Sequence, residues 1–129
     1  MPAVKQDLYV EQGTTYRLSV QWVAVPVGGG PTTPINLTGY KARLQMRKAQ
    51  QTAALISAST ETGEFSVNGS TGTVTMKLSA IQTNELSIRN LKYDLEVISP
   101  TGDVDRLLEG NVSVSPNITQ MEGEPVVTG

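Results

Sequence analysis

The chain has 129 residues, no cysteine, no histidine and a formal net charge of -2. The missing residues exclude a disulfide framework, thiolate chemistry and the commonest general base and metal ligand. Charges of both signs are scattered, so neither a basic block for nucleic acid nor an acidic tail for cations is present. We expect one domain, because this length can bury a core of its own.

Residues 1–7 lack the apolar core of a secretory signal, and no run approaches the roughly 20 apolar residues that cross a bilayer. We therefore expect a soluble protein that is cytosolic where it is made. Thr, Ser, Val and Gly are abundant and aromatic residues are few, which favours strands and turns over helices.

The first segments predict two strands. Val4 to Glu11 is an expected edge strand, and Thr14 to Val25 is the longest alternating segment. The inward positions are Leu8 and Val10 in the first strand, and Tyr16, Leu18, Val20 and Trp22 in the second. Trp22 shares the parity of apolar neighbours, which favours a core anchor over a sugar-stacking platform.

Pro26 to Pro34 contains three glycines and three prolines, which predicts a protruding loop without regular structure. It is either a tolerated surface insertion or an ordered contact with a neighbouring subunit.

A turn followed by a strand with two distinct faces occupies Ile35 to Lys48. Asn36, Thr38 and Gly39 supply the turn. The strand then alternates, so that one face is apolar (Tyr40, Ala42, Leu44, Met46) and the other is basic and polar (Lys41, Arg43, Gln45, Arg47).

Three shorter strands and a helix follow. Ala53 to Ser59 is a strand with Leu55 as its strongest apolar residue, although Ala49 to Ala54 also fits one helical turn. Glu64 to Asn68 and Thr73 to Ser79 are joined by strong turn signals, with Phe65, Val67, Val74, Met76 and Leu78 inward. Ser79 to Gln82 fits a capping box, which predicts a helix to about Leu86 with Ile81 and Leu86 in the core. This helix is expected to cross from one sheet to the other.

The final hairpin joins Lys92–Ser99 to Val104–Val114 through a Pro-Thr-Gly-Asp turn. Tyr93, Leu95 and Val97 point inward. Gly110 indicates a bulge or a close backbone approach. Arg106 falls on the inward parity, so we expect it at the rim or paired with a carboxylate.

Acidic residues cluster around this hairpin: Asp94, Glu96, Asp103, Asp105 and Glu109. Their spacing matches no calcium loop, and the outward parity of Asp94 and Glu96 suits a solvated face. A cross-strand pair of Asp94 or Glu96 with Arg106 is the expected arrangement. No catalytic residue, metal site or cofactor site is predicted, because no base other than a carboxylate or lysine exists to activate a hydroxyl.

Pro116 ends the last strand, and Asn117 to Gly129 has no apolar period. We divide the chain into a domain over 1–116 and an extended tail over 117–129. The tail either lies against another chain by adding a strand to a sheet edge or remains disordered.

About seven or eight short strands with one small helix predict an all-β fold, an antiparallel two-sheet sandwich that is immunoglobulin-like with one short crossover helix. A jelly-roll-like sandwich is the alternative.

Five ordered blocks between Glu11 and Thr119 resemble a known family. They are Glu11-Gln12-Gly13; Trp22; Asn36-Leu37-Thr38-Gly39-Tyr40 leading to the Arg43-to-Arg47 strand; Tyr93-Asp94-Leu95-Glu96; and Arg106-Leu107-Leu108-Glu109-Gly110 followed by Val112 to Pro116. The chain resembles small virion structural proteins of tailed bacteriophages, and is similar to the N-terminal sandwich of phage baseplate upper proteins. Asn36 stands where the family usually has Asp, which changes one charge in the turn.

The resemblance implies a non-catalytic virion component, made in the host cytoplasm and present in multiple copies. Its implied partners are other virion proteins of the tail or capsid, with no nucleic acid, membrane or small-molecule substrate. The tail baseplate or fibre attachment is favoured, a capsid decoration (cement) protein is the alternative, and a carbohydrate-binding module is less favoured. The candidate interface residues are Pro26, Gly29, Pro31, Pro34, Ile118, Met121, Pro125, Val126 and Val127.

Overall fold

The computed structural model describes residues 3–49, 52–87, 89–116 and 118. The strands are β1 Val4–Lys5, β2 Leu8–Glu11, β3 Tyr16–Gln21, β4 Val23–Ala24, β5 Thr33–Pro34, β6 Lys41–Arg47, β7 Ala54–Ser59, β8 Phe65–Asn68, β9 Thr73–Leu78, β10 Asn90–Ile98 and β11 Val104–Ser115. One helix, α1 Ala80–Asn84, lies between β9 and β10.

Two main sheets form a sandwich, which confirms the predicted fold class. The larger sheet has the order β1-β11-β10-β6-β7, with β2 also paired to β11, and the smaller has the order β3-β9-β8. Strands β4 and β5 form a separate two-stranded ribbon. All pairings are antiparallel except those of β1 and β2, which run parallel to β11. Helix α1 carries the chain from the smaller sheet to the larger, as predicted.

The core lies between the sheets and is built from alternate residues of their strands. Strand β6 contributes Ala42, Leu44 and Met46, all fully buried. Facing them, the smaller sheet contributes buried Val74, Met76 and Leu78, again as the alternation predicts. The inward residues of β3 (Tyr16, Leu18, Val20) are only partly buried, although they pack against this core.

The N-terminal segment is two short strands and not the single edge strand that the sequence predicts. The regular strand is interrupted at Gln6 and Asp7, between β1 and β2, although both strands keep the same register along β11. Leu8 and Val10 are buried as expected. The break follows from contacts that periodicity does not reveal: the Gln6 amide donates to the carbonyl oxygen of Glu109, and the Asp7 carboxylate accepts from the Asn111 amide.

A bulge in β11 corrects the predicted inward position of Arg106. Leu95 pairs with Leu108 and the next residue, Glu96, pairs with Arg106, so Leu107 is the extra residue. Both Leu107 and Leu108 are buried, while Arg106 lies on the outer face beside Glu96. An inserted residue reverses the parity on one side of it, and alternation alone does not locate such an insertion.

Helix α1 begins with the predicted capping box. The Ser79 hydroxyl accepts from the Gln82 amide, and the Gln82 side chain accepts from the Ser79 amide. Leu86 is buried as predicted, but Ile81 is 68% exposed, so its assignment to the core is wrong. Thr83 is buried instead, with its hydroxyl donating to the carbonyl oxygen of Thr14 at 2.7 Å.

The strongest apolar residue of β7 points away from the core. Leu55 is 39% exposed, whereas its neighbours Ile56 and Ala58 are buried. The strand begins at Ala54, so residues 54–59 are extended and the alternative helical turn does not include Ala54. Pairing with β6 sets the parity of this strand and places Leu55 on its outer face.

Candidate functional site: exposed interaction surfaces

The outer face of the larger sheet carries a row of charged and amide side chains, here called the charged face. It consists of Arg43, Gln45, Arg47, Lys92, Asp94, Glu96, Arg106, Glu109 and Asn111. These residues surround an open cleft of about 790 Å³. Alternation along β6, β10 and β11 places them outside because their neighbours fill the core.

Ion pairs link adjacent strands across the charged face. Arg43 Nε lies 2.8 Å from Glu96 Oε1, joining β6 to β10. Arg106 lies 3.5 Å from Asp94 and 3.3 Å from Glu109. The predicted Asp94–Arg106 pair is therefore present. The sequence did not predict the Arg43–Glu96 pair. Alternation indicated that both residues point outward, but it did not indicate that β6 and β10 are neighbouring strands.

The ionised form of the Asp94 carboxyl group is disfavoured despite the arginine partner. Partial burial and the neighbouring Glu96 raise the pKa of its carboxyl group, against the opposing effect of Arg106. In the described part of the chain, no group of three or more acidic side chains is arranged to hold a metal ion.

One end of the charged face is basic. Lys92 and Arg47 are direct cross-strand partners on β10 and β6. Lys92 Nζ donates to Asn111 Oδ1, while Arg47 donates to the carbonyl oxygen of Thr52 and the side-chain oxygen of Gln45. Neither cation has an ion pair with the described residues. Like charges that face each other across strands are unfavourable, so Lys92 and Arg47 repel each other at this end of the sheet.

The Gly/Pro segment is a hairpin and not wholly irregular. Val23 pairs with Pro34 and Ala24 with Thr33, so the prediction fails at Thr33 and Pro34. Proline is acceptable in a two-residue ribbon, where few ladder bonds are lost. The candidate contacts Pro26, Gly29, Pro31 and Pro34 are all exposed. The loop also exposes Val25 and Val27, the latter completely.

Trp22 lies directly after β3 and packs, partly buried, against the core. Its amide donates to the carbonyl oxygen of Gly72 at 2.8 Å, and its carbonyl oxygen accepts from the Ile35 amide at 2.9 Å. The inward placement agrees with its predicted role as an anchor. Its indole nitrogen is buried and has no hydrogen-bond partner among the described residues.

Glu64 links three elements next to β7, which is an edge strand among those that the structure describes. Its carboxylate accepts from the Ser59 amide at 3.1 Å, from the Thr62 hydroxyl, and from the Gln82 side chain at 3.3 Å. Burial raises the pKa of Glu64, but the hydrogen bonds from Thr62, Ser59 and Gln82 outweigh it, so the pKa is below its usual value. This network was not visible in the sequence.

The C-terminal candidate residues are mostly outside the described part. Strand β11 ends at Ser115 and Pro116 follows. Ile118 is 96% exposed. Met121, Pro125, Val126 and Val127 lie outside the described residues, as does most of the proposed tail. Across the ranges that the structure describes, no helix is long and apolar enough to cross a membrane.

Comparisons with known proteins support the fold and go no further. No family model matches the chain, and no curated protein matches it. Among solved structures, a crystal structure of a chicken TCR matches with a TM-score of 0.50 and 15% sequence identity. The match covers 89% of this chain, which spans 56% of that protein's chain. The likeness shows an immunoglobulin-like sandwich.

Proposed function

We propose that this protein is a structural component of a tailed-bacteriophage virion that acts through protein–protein contacts and without catalysis. The observation that carries the proposal is the ordered set of five sequence blocks described above. The immunoglobulin-like sandwich is compatible with such a role, because sandwiches present edges, loops and flat faces for assembly.

The contacts between the blocks support treating them as one structural unit. Arg43, from the central block, pairs with Glu96 of the Tyr-Asp-Leu-Glu block. Asp94 of that block pairs with Arg106 of the Arg-Leu-Leu-Glu-Gly block. The first and last blocks also meet, since the Gln12 amide donates to the carbonyl oxygen of Ser115. Blocks far apart in sequence are therefore neighbours on one sheet.

The exposed hairpin between β4 and β5 is the strongest candidate contact outside those blocks. It projects Val25 and Val27 into solvent with prolines and glycines around them. Prolines restrict the conformations of the unbound loop, so the loop loses less conformational entropy when it binds. A smaller entropy loss favours association. In the virion, this hairpin and residues 117–129 contact neighbouring proteins.

Truncation after Pro116 tests the role of the tail. The truncated domain keeps every described strand, so its melting temperature stays close to that of the full chain. Its incorporation into particles falls, because the tail supplies a contact with another chain. Normal incorporation of the truncated protein would contradict the role of the tail and direct attention to Val25 and Val27.

The location within the particle is proposed to be the tail, at the baseplate or fibre attachment, on the basis of the resemblance to baseplate upper proteins. Capsid decoration is the alternative location. Electron microscopy of particles carrying a labelled copy distinguishes them, since the label would decorate one end of the tail or the whole head.

A carbohydrate-binding role has one observation in its favour. Tyr9 is 73% exposed on the outer face of the larger sheet, opposite Ser113. An exposed ring can stack on a sugar, and neighbouring hydroxyl groups can hydrogen-bond to it. A glycan array tests this role, with Tyr9→Ala as the control. Binding that requires Tyr9 would support the second function.

A further inference from the structure

We propose that the free edge of β3 pairs with the β3 edge of a second copy, so that two small sheets join into one continuous antiparallel sheet. This inference deepens the proposed function and rests on it, because assembly in multiple copies brings such edges together. The partner is this same chain, and the contact is a two-fold-symmetric strand pair.

The hydrogen-bonding pattern shows which backbone groups are free. Strand β3 pairs only with β9 among the described strands. The Trp22 amide donates to the carbonyl oxygen of Gly72. This contact continues the register in which Val20 pairs with Val74 and Leu18 with Met76. Hydrogen-bonded pairs recur at every second residue of an antiparallel ladder. Even-numbered residues of β3 therefore bond to β9.

The odd-numbered residues consequently direct their backbone groups away from the sheet. The N–H and C=O groups of Arg17, Ser19 and Gln21 face the free edge. An independent contact agrees with this assignment: the amide of Lys77, the partner of Arg17, donates to the carbonyl oxygen of Glu64 on the other side of β9. It is therefore not available to Arg17. Unpaired edge groups of this kind can bond to another strand.

The apolar side of β3 is also incompletely covered. Tyr16, Leu18 and Val20 are partly exposed, in contrast with the fully buried inward residues of β9. Their position at the edge of a three-stranded sheet explains this, since none of the other described strands covers them. A strand added at this edge would bury the remainder of their apolar surface.

The free edge of β7 is less suitable. The Thr60 amide donates to the carbonyl oxygen of Ala42. By the same alternation, the backbone N–H and C=O groups of Ser57 and Ser59 point away from β6. The Ser59 amide is already occupied by the Glu64 carboxylate. A pairing irregularity where Arg47 meets Ala54 further shortens the regular edge. Capping and irregularity are ways in which proteins block edge-to-edge association.

Symmetry and the free backbone groups restrict the register of the proposed pair, and the axis at Ser19 is the one that uses all three free residues of both strands. Odd residues must face odd residues, because only these have free backbone groups. With the two-fold axis at Ser19, Ser19 faces its counterpart and Arg17 faces Gln21 of the second copy. The three pairs exchange about six backbone hydrogen bonds. No like charges face each other, whereas an axis at Arg17 would oppose two arginines.

The same register matches the apolar sides. Leu18 faces Val20 of the second copy, and Tyr16 faces Trp22. Aliphatic and aromatic cross-strand pairs of this kind stabilise sheets. A single edge buries less than the roughly 1,200–2,000 Å² of a standard interface, so the free dimer is weak and the particle strengthens it through other contacts.

Cysteine cross-linking tests the pairing, because the chain has no cysteine of its own. In Ser19→Cys, the two thiols lie at a hydrogen-bonded antiparallel pair, whose Cα separation of about 5.5 Å is within disulfide range. Under mild oxidation by diamide, Ser19→Cys forms a covalent dimer about tenfold faster than the matched edge variant Ser57→Cys. Equal rates, or no dimer from either variant, would overturn the proposal.

Hydrogen exchange of the unmodified full-length chain is a second test that requires no substitution. The amides of Arg17, Ser19 and Gln21 exchange more slowly as protein concentration rises, while the Ser57 amide does not change. Exchange that is independent of concentration at all three positions would overturn the pairing. Because both tests use the free protein, their failure is distinct from failure of the virion role, which is tested by incorporation into particles.

Discussion

Gly110 and Gln6 are in backbone contact: a Cβ atom on Gly110 would lie 2.5 Å from the carbonyl oxygen of Gln6. The same carbonyl accepts a hydrogen bond from the Tyr93 hydroxyl. Burial, with Tyr16 and Asp7 nearby, raises the pKa of that hydroxyl to about 12, so Tyr93 remains a protonated donor at neutral pH. This contact fixes the N-terminal strands against β11.

Gly110→Ala should therefore destabilise the domain by about 1–3 kcal/mol, since the added methyl group displaces the chain at Gln6. The backbone of Gly110 is not in the left-handed region, so the loss arises from contact and not from dihedral strain. Chemical denaturation measures it, and Ser113→Ala on the same strand is the control. Equal stability of the two variants would show that the N-terminal strands move without cost.

Trp22→Ala should cost about 2–4 kcal/mol, near the lower end for large aromatic residues because Trp22 is only partly buried. Trp22→Phe should cost much less, because it keeps a ring and removes an indole N–H that has no partner among the described residues. Thermal and denaturant unfolding measure both. A phenylalanine variant as unstable as the alanine variant would show that the indole nitrogen has a favourable partner.

Glu64 should make stability depend on acid pH. Its pKa is below the ordinary 4.5 in the folded protein, so its ionised form stabilises the fold. The contribution is complete above the unfolded pKa and is lost as pH falls through the lower folded pKa. The stability difference between the parent and Glu64→Gln is therefore constant near neutrality and shrinks in acid.

Glu61→Gln is the control for that experiment, because Glu61 lies in the same turn and has an exposed pair with Lys41. Surface pairs contribute little, so Glu61→Gln should remain close to the parent near neutral pH. If both variants lose equal stability there, the Glu64 network has no special role.

Asp94 should change the pH dependence of stability in the direction opposite to that of Glu64. Its pKa is raised in the folded state, so stability from this group is present at low pH and is lost as pH rises through the folded pKa. Asp94→Asn should therefore be at least as stable as the parent at neutral pH, despite losing the pair with Arg106. A clear loss of stability, measured by urea denaturation at pH 7, would show that the ion pair dominates.

The sequence was informative wherever alternation continued without interruption. The inward residues of β6 and β9, three of the four buried residues of β10 (Tyr93, Leu95 and Val97, but not Leu91) and the capping box at Ser79 were predicted. It failed where tertiary contacts override local pattern: the bulge at Leu107 places Arg106 outside, and α1 buries Thr83 in place of Ile81. Pairings such as Arg43–Glu96 depend on strand order, which a single sequence does not specify.

The candidate interaction surfaces also include features that the sequence predicted and features that depend on tertiary structure. The Gly/Pro composition predicted an exposed loop, but not the β4–β5 ribbon that supports it. The free edge of β3 was not predicted, because it depends on which sheet the N-terminal strands join. Those strands pair with β11, which leaves β3 at an edge of the smaller sheet.

The most direct test of the account is to detect the protein in purified virions by quantitative mass spectrometry and to locate it there by labelled electron microscopy. We expect a fixed stoichiometry of several copies per particle, with the label at the tail. Absence of the protein from particles that are otherwise complete would contradict the proposed function.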